Sequence, residues 1–220
     1  MKQAYRIDRI NLITYRNREK KILKSCRCRY LAKSHVVKCS AKGEVFEFIN
    51  FRGSIFRKVD FKNATIKGCD FWGVTFNNCN FKGASISDCV FMACKFRNCN
   101  FSNTRFNYTT IVNTALNECK DIDTSFGVRV FAEYPKCTLT EELKNSLNTV
   151  KTNKNLKKCK LLFISDTKYN ELNIYLLLQR FTESELAGLL LEVIKHSTST
   201  ITTYKKLEKQ LKKAKECAII

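Results

Sequence analysis

The chain has 220 residues, 12 of them cysteines, and its 40 Lys and Arg against 20 Asp and Glu give a formal net charge of +20. This length accommodates one repeat domain and a modest accessory domain, and the absence of any run of 18 apolar residues excludes a membrane-spanning helix. Because the N-terminus also lacks the apolar core of a signal peptide, we expect the cysteines to be reduced and the protein to be cytoplasmic.

Residues 1–45 are predicted to be a basic N-terminal capping segment, with 13 Lys and Arg against three Asp and Glu. Residues 5–13 fit a capping strand or a short helix, which an open sheet end requires. Basic side chains in this segment could bind the phosphates of a nucleic acid. These candidate nucleic-acid-binding residues are Arg16, Arg18, Lys20, Lys21, Lys24, Arg27 and Arg29.

The same segment contains a candidate metal site with the spacing C-x-C-x6-H-x3-C, formed by Cys26, Cys28, His35 and Cys39. Zinc favours four such ligands, although zinc-binding cysteine pairs more often have two residues between them. The alternative is a set of free thiols near the capping strand. Zinc is the one cofactor that the sequence suggests.

A five-residue repeat dominates the middle of the chain. From Phe51 to Leu116 every fifth residue is a large apolar side chain, and a small or compact residue stands two positions before it. A helix would scatter these side chains over all its faces, and a flat strand would send them to alternate sides. The chain must therefore turn a corner within each five residues. Gly53, Asn63 and Gly73, two places after the apolar centres, tolerate the positive φ of tight turns.

This repeat resembles the pentapeptide-repeat family, on motifs such as Cys69-Asp70-Phe71-Trp72-Gly73. The resemblance implies a right-handed, four-sided β-solenoid in which residues 20 apart stack. We therefore predict a mainly β protein with a solenoid over residues 46–131 and an α-helical subdomain over 132–220. The implied core columns are Phe51, Phe71, Phe91 and Ile111, and Phe56, Phe76, Phe96 and Leu116.

The family also includes DNA mimics that bind DNA gyrase through a negative surface, a role that a net charge of +20 excludes. Half of the cysteines occupy the small-residue positions, and we interpret them as buried packing side chains rather than a metal or redox ladder. Arg52, Trp72 and Met92 occupy equivalent outward positions and predict an exposed contact surface for a protein partner.

The repeat fails at Asp121, where a carboxylate falls on a core position. Because burying an unpaired carboxylate is costly, Ile122 is expected to replace it through a one-residue bulge. Phe126 and Phe131 would then return to register.

After Pro135 the pattern becomes helical. Thr140 is predicted to cap a helix through Val150, and Thr182 with Glu185 to form a capping box. Residues 172–181 also fit a helix, and a last helix is expected from about Ser199. These helices could cap the solenoid or form a homodimer contact.

The tail Cys217-Ala218-Ile219-Ile220 follows a lysine cluster and fits the C-a-a-X prenylation signal. A lipid on Cys217 beside that cluster would attach the protein to membranes in a eukaryotic, or host, cytosol. The alternative is an amphipathic basic helix whose last residues only pack.

Catalytic motifs are not found in the sequence. The two histidines, His35 and His196, lie in no nucleophile or metalloenzyme motif, and the glycines follow the repeat. We therefore expect a non-enzymatic protein-interaction scaffold or structural component with a protein partner. The alternatives use an anionic surface instead: a membrane-attached effector acting through the C-terminal tail, or a nucleic-acid-associated protein acting through the N-terminal segment.

Overall fold

The computed structural model describes residues 9–196 and 200–218. The chain forms two compact units, one ending at Glu133 and the other beginning at Tyr134, two residues beyond the predicted boundary. The first unit is a parallel β-solenoid and the second is helical. Within the described residues, no helix is long and apolar enough to cross a membrane.

The solenoid has four faces, numbered here in the order in which each coil forms them, and its strands pair in parallel. Face 1 consists of β1 (Asn11–Ile13), β3 (His35–Val37), β5 (Ile55–Arg57), β8 (Thr75–Asn77) and β11 (Lys95–Arg97). Face 2 consists of bridges linking Ile22, Ser40, Asp60, Asn80 and Asn100, and of the pair β12 (Cys99–Asn100) and β15 (Cys119–Lys120). Face 3 consists of β2 (Cys26–Arg27), β4 (Val45–Glu47), β6 (Thr65–Lys67), β9 (Ser85–Ser87) and β13 (Arg105–Asn107). Face 4 consists of β7 (Asp70–Trp72), β10 (Val90–Met92), β14 (Thr109–Val112) and β16 (Val128–Phe131).

Stacked aromatic rings fill the solenoid interior. Phe76 is completely buried, and its ring centroid lies 5.3 Å from that of Phe56 and 4.8 Å from that of Phe96. In the neighbouring column Phe71 and Phe91 stack at 4.6 Å. Phe91 pairs in register with Phe71 on one side and with Ile111, 20 residues later, on the other. The predicted four-sided solenoid and its stacked core are confirmed.

Left-handed backbone forms the corners between faces. Gly53 and Asn63 have φ of 64° and 57°, as their side chains predict, but Lys58 adopts the same conformation with φ of 53°. A residue with a side chain pays about 1–2 kcal/mol for this conformation. The amide of Lys58 donates to the carbonyl of Asn77 on the next coil at 2.8 Å, so pairing between coils offsets the cost.

The solenoid begins earlier than the sequence predicts, and the predicted boundary at residue 45 is wrong. Strands β2 and β3 lie inside the segment assigned to the cap, and they pair with β4 and β5. The core positions of these coils are buried but differ in size, so the aromatic repeat is not visible there: they are Leu31, Val36, Ala41 and Phe46. Strand β1, which pairs with β3, lies within the segment predicted as a capping strand or helix.

The last coil departs from the predicted register. Asp121 is exposed, and Ile122 packs against the core as predicted. However, β16 places Val130 opposite the core residue Ile111, and Phe126 is 83% exposed. The predicted return of Phe126 to the core is therefore wrong.

The helical unit contains α1 (Glu141–Val150), α2 (Lys154–Cys159), α3 (Glu171–Leu178), α4 (Glu183–His196) and α5 (Tyr204–Ala218). The Thr140 hydroxyl accepts the amide of Leu143 at 3.4 Å, as predicted for a cap. The predicted capping box is present, because the amide of Thr182 donates to Glu185 at 2.9 Å and the amide of Glu185 donates to Thr182 at 3.2 Å. Helix α2 was not predicted, and the expected start of the last helix at Ser199 lies outside the described residues.

Candidate interaction surfaces

The predicted contact surface on face 4 is mostly covered. Met92 is 4% exposed and Trp72 is half-buried. The guanidinium of Arg52 lies 5.6 Å from the centroid of the Trp72 ring, and its Nη2 donates to the Tyr30 hydroxyl at 2.8 Å. The prediction that Arg52, Trp72 and Met92 form an exposed surface is therefore wrong. The repeat sets the direction of these side chains but not their exposure.

An apolar patch is exposed at the last coil of the solenoid. It consists of Tyr108, Phe126 and Val130, which are 72%, 83% and 51% exposed, and is called the end patch below. The register of β14 with β16 pairs Thr109 with Val128, and the amide of Thr109 donates to the carbonyl of Gly127 at 3.0 Å. Tyr108 therefore lies opposite Gly127, the residue that follows Phe126.

Gly127 fixes the position of the end patch. Its φ is +71°, and a Cβ built there would lie 2.2 Å from the carbonyl oxygen of Phe106. A residue with a side chain cannot approach the neighbouring coil so closely. The backbone beside Phe126 is therefore held by a contact that requires glycine.

The candidate zinc ligands are separated by the coil. Cys26 lies on face 3, His35 on face 1, and Cys28 at a corner with φ of 52°. Cys39 is buried, and its thiol donates to the carbonyls of Val37 and Leu12. Across residues 9–196 and 200–218, no three His, Cys, Asp or Glu side chains group as a metal site. The prediction that these four residues form one site is wrong.

The cysteines of the repeat are packing side chains, as predicted. Cys69, Cys79, Cys89, Cys94 and Cys99 are all buried. The Cys94 thiol donates to the carbonyl of Phe71 at 3.0 Å, and burial raises its pKa to about 12. Because the thiolate is the nucleophile and metal ligand, such a thiol is inert near neutral pH.

A six-residue insertion projects at the corner between faces 1 and 2. Ile13 and Ile22 are nine positions apart, whereas their partners Val37 and Ser40 are three positions apart. The difference places six additional residues between β1 and face 2. This segment is called the corner loop below and comprises residues 15–20.

The structure divides the candidate nucleic-acid-binding residues between two places. Arg16, Arg18 and Lys20 lie in the corner loop, and Lys21 and Lys24 follow on face 2; all five are exposed. Arg27 lies on face 3, where its Nε contacts Glu47 at 3.1 Å, and Arg29 follows β2. Five of the seven predicted residues therefore share one side of the solenoid.

Helix α5 places Cys217 at an exposed position, while Ile219 and Ile220 lie outside the described residues. Several lysines of the predicted polybasic cluster are engaged within the helical unit. Lys205 and Lys212 contact the buried carboxylate of Glu208 at 2.9 and 2.7 Å. Burial opposes ionisation of Glu208, but hydrogen bonds from these lysines outweigh it and lower its pKa.

Cys217 also borders a groove of about 420 Å³ between α4 and α5. The groove is lined by Glu192, Val193, His196 and Lys213, among others. His196 Nε2 lies 3.3 Å from a carboxylate oxygen of Glu192 at the exposed end of α4. Lipidation of Cys217 stays a prediction.

Comparison with known proteins identifies the repeat. The family model for pentapeptide repeats matches eight copies over residues 46–83 and 84–120. Residues 46–120 belong to the pentapeptide-repeat family. No curated protein matches the chain.

Solved pentapeptide-repeat structures resemble part of the chain at low identity. QnrB1, a plasmid-mediated fluoroquinolone resistance protein, is 16% identical over 50% of this chain and 64% of its own, with a TM-score of 0.26. HetL from the cyanobacterium Nostoc, a protein involved in heterocyst differentiation regulation, is 11% identical over 41% of this chain and 40% of its own, with a TM-score of 0.22. Rfr23 from the cyanobacterium Cyanothece is 9% identical over 56% of this chain and 81% of its own, with a TM-score of 0.27. The chain thus spans less than two thirds of QnrB1 and of HetL.

Two surface features of the first unit were missed from the sequence. The end patch arises from the shifted register of β16, for which the sequence has no signal beyond the failure of the repeat at Asp121. The corner loop had a signal in the five-residue register extended backwards from Phe51, because that register breaks upstream of Cys26. The offset to the next coil changes there from 20 residues, for Cys26 with Phe46, to 18 for Ile22 with Ser40 and 24 for Ile13 with Val37.

Proposed function

We propose that the protein is a non-enzymatic interaction scaffold, in which the pentapeptide-repeat solenoid presents the end patch to a protein partner with a complementary apolar pocket. The observation that carries the proposal is the exposure of Phe126 (83%) beside Tyr108 (72%). Exposed aromatic side chains of this kind supply much of the binding energy in protein interfaces.

The rigidity of the solenoid supports this function. The coil that carries Tyr108 pairs through β13 with β9, and through β14 with β10 and β16. The contact between Gly127 and Phe106 restricts the backbone beside Phe126. A surface already ordered before binding loses little conformational entropy on association.

The chemistry of the buried side chains also favours binding over catalysis. The thiols of Cys69, Cys79 and Cys94 are buried with raised pKa values, and perturbed groups of that kind are neutral packing elements at physiological pH. His196 is exposed and lies 3.3 Å from Glu192.

A site-specific crosslinker tests the proposal. A photoreactive phenylalanine analogue at position 126, in cells that naturally contain the protein, should crosslink to a discrete protein. The same analogue at Ile55, which is 41% exposed on face 1, is the matched control and should not.

The double variant Tyr108→Ser, Phe126→Ser should lose the crosslinked partner on co-purification, while Val45→Ser, Ile55→Ser retains it. Light scattering of the purified protein shows whether the partner is a second copy. Equal recovery of partners by both double variants would disprove the role of the end patch.

A further inference from the structure

Face 2 carries a column of lysines in register. Bridges join Ile22, Ser40, Asp60 and Asn80 on successive coils, and a lysine follows each of them by two positions. These residues, called the lysine column, are Lys24, Lys42, Lys62 and Lys82. Since paired strands lie about 4.8 Å apart, the column extends over about 14 Å.

The charges of the lysine column are not neutralised locally. No ion pair in the described parts of the chain involves any of its four members. Among the bridge residues of face 2 only Asp60 is acidic, and its Oδ1 accepts the backbone amide of Lys62 at 3.1 Å and the Nδ2 of Asn80 at 2.9 Å. The Asp60 carboxylate therefore binds a backbone amide of its own coil and a side-chain amide of the next coil, and does not pair with a lysine ammonium group.

Additional positive charge lies along the corner between faces 1 and 2. Lys38 and Lys58 are exposed at this corner, and the corner loop adds Arg16, Arg18 and Lys20. Face 3 differs, because Arg27 pairs there with Glu47. The corner loop, Lys38 and Lys58 therefore extend the positive charge of the lysine column towards face 1, although faces 1 and 3 also carry separate exposed basic side chains.

An aromatic ring stands at the start of the corner loop. Tyr15 is 69% exposed, although the preceding residue, Thr14, is buried and accepts the amide of Lys21 at 2.9 Å. The base of the loop is therefore fixed while the ring faces solvent. An exposed ring beside a line of cations is the combination that single-stranded nucleic acids use, through base stacking and phosphate contacts.

We infer that face 2 binds single-stranded nucleic acid, with the phosphate backbone along the lysine column and a base stacked on Tyr15. A single strand can contact both features at once. Its phosphates can lie along the line of lysine ammonium groups, and any of its bases can stack on the tyrosine ring. Lysine contacts to phosphate carry no sequence information, so binding is sequence-tolerant. This surface shares no residue with the end patch, so the test of the inference and the test of the proposed scaffold function have independent outcomes.

Salt-dependent binding of a fluorescent 20-nucleotide oligo(dT) to the full chain tests the inference. Each phosphate contact contributes about 0.7 to the slope of log K against log salt concentration for a single strand. The triple variant Lys42→Gln, Lys62→Gln, Lys82→Gln should therefore reduce the slope by about 2. Tyr15→Ala should weaken binding about five-fold or more, and Tyr15→Phe should retain it.

The matched control removes the same charge elsewhere, with Lys67→Gln, Lys95→Gln and Arg105→Gln, which are exposed on faces 3 and 1. It should leave the slope nearly unchanged. Equal losses in the two triple variants would overturn the inference, because binding would then follow net charge alone. The inference would also be overturned if the lysine-column variant lost affinity for phosphatidylserine vesicles but not for oligo(dT). The column would then bind a membrane surface.

Discussion

Truncation of Phe76 is the most severe test of the stacked core. Its side chain is completely buried, and its ring lies within 6.4 Å, centroid to centroid, of five others. Those rings belong to Phe56, Phe71, Phe81, Phe91 and Phe96. Replacement by alanine would open a cavity that the neighbouring coils cannot close, because their spacing is set by the hydrogen bonds between coils.

The expected loss of stability is large. Buried Phe→Ala substitutions cost about 3–5 kcal/mol in total, lost contacts included. Because the Phe76 ring has five aromatic neighbours, we expect Phe76→Ala to lower the free energy of unfolding by about 5 kcal/mol, at the top of that range. Phe126→Ala should change it by less than about 0.5 kcal/mol, since Phe126 is 83% exposed.

Phe106 provides an intermediate case. It is 8% exposed, and the ring of Phe101 lies 6.0 Å from it in a tilted arrangement. Phe106→Ala should cost about 3 kcal/mol, at the low end for a buried phenylalanine. The three variants thus rank by the burial and ring contacts of the deleted side chain.

Tryptophan fluorescence allows the solenoid to be followed separately. Trp72 is the single tryptophan of the chain and lies on β7, next to Phe71. Denaturant titration of its emission therefore reports unfolding of the first unit. Similar midpoints for Phe76→Ala and Phe126→Ala would refute the conclusion that ring stacking holds the coils together.

Three further substitutions test local features. Gly127→Ala should destabilise the solenoid by about 1–3 kcal/mol, measured by tryptophan fluorescence, and by more than Gly73→Ala, whose added Cβ would meet no atom within 4 Å. Cys217→Ser should remove the fastest phase of maleimide labelling, because Cys217 is exposed whereas burial protects thiols such as Cys94; an unchanged fast phase would contradict this. Glu208→Gln should destabilise the helical unit by about 1–2 kcal/mol at neutral pH. Because the folded state lowers the pKa of Glu208, this contribution is present above its unfolded pKa and is lost as the pH falls through the folded value. The stabilities of the variant and the native protein, from melts followed by far-UV circular dichroism, should therefore converge as the pH falls through the folded pKa of Glu208. A constant difference would argue against the ion pairs.

The core could be predicted from the sequence because each coil repeats the same packing requirement. Phe71, Phe91 and Ile111 had to stack once the chain was known to turn every five residues. The first coils were missed because Val36 and Ala41 fill equivalent positions with smaller side chains. The repeat was found in the sequence from large apolar side chains at every fifth position, and these coils lack them.

The exposure of the surface could not be predicted in the same way. The repeat places Met92 on the outside of a strand, and only the folded chain shows that it is 4% exposed. Periodicity specifies which way a side chain points relative to its own sheet. How far the neighbouring side chains bury an outward position depends on packing that no single repeat contains.

The coil also changes which sequence spacings can build a site. Residues five apart lie on neighbouring faces, so Cys26, His35 and Cys39, close in sequence, are held apart. Residues 20 apart lie about 4.8 Å from each other, as Lys42 and Lys62 do. Motif spacings derived from loops and helices therefore have little meaning in a solenoid. The informative pattern is a chemical type that recurs once per coil at an outward position. The lysine column of face 2 follows this pattern, with a step of 20 residues from Lys42 to Lys62 and from Lys62 to Lys82.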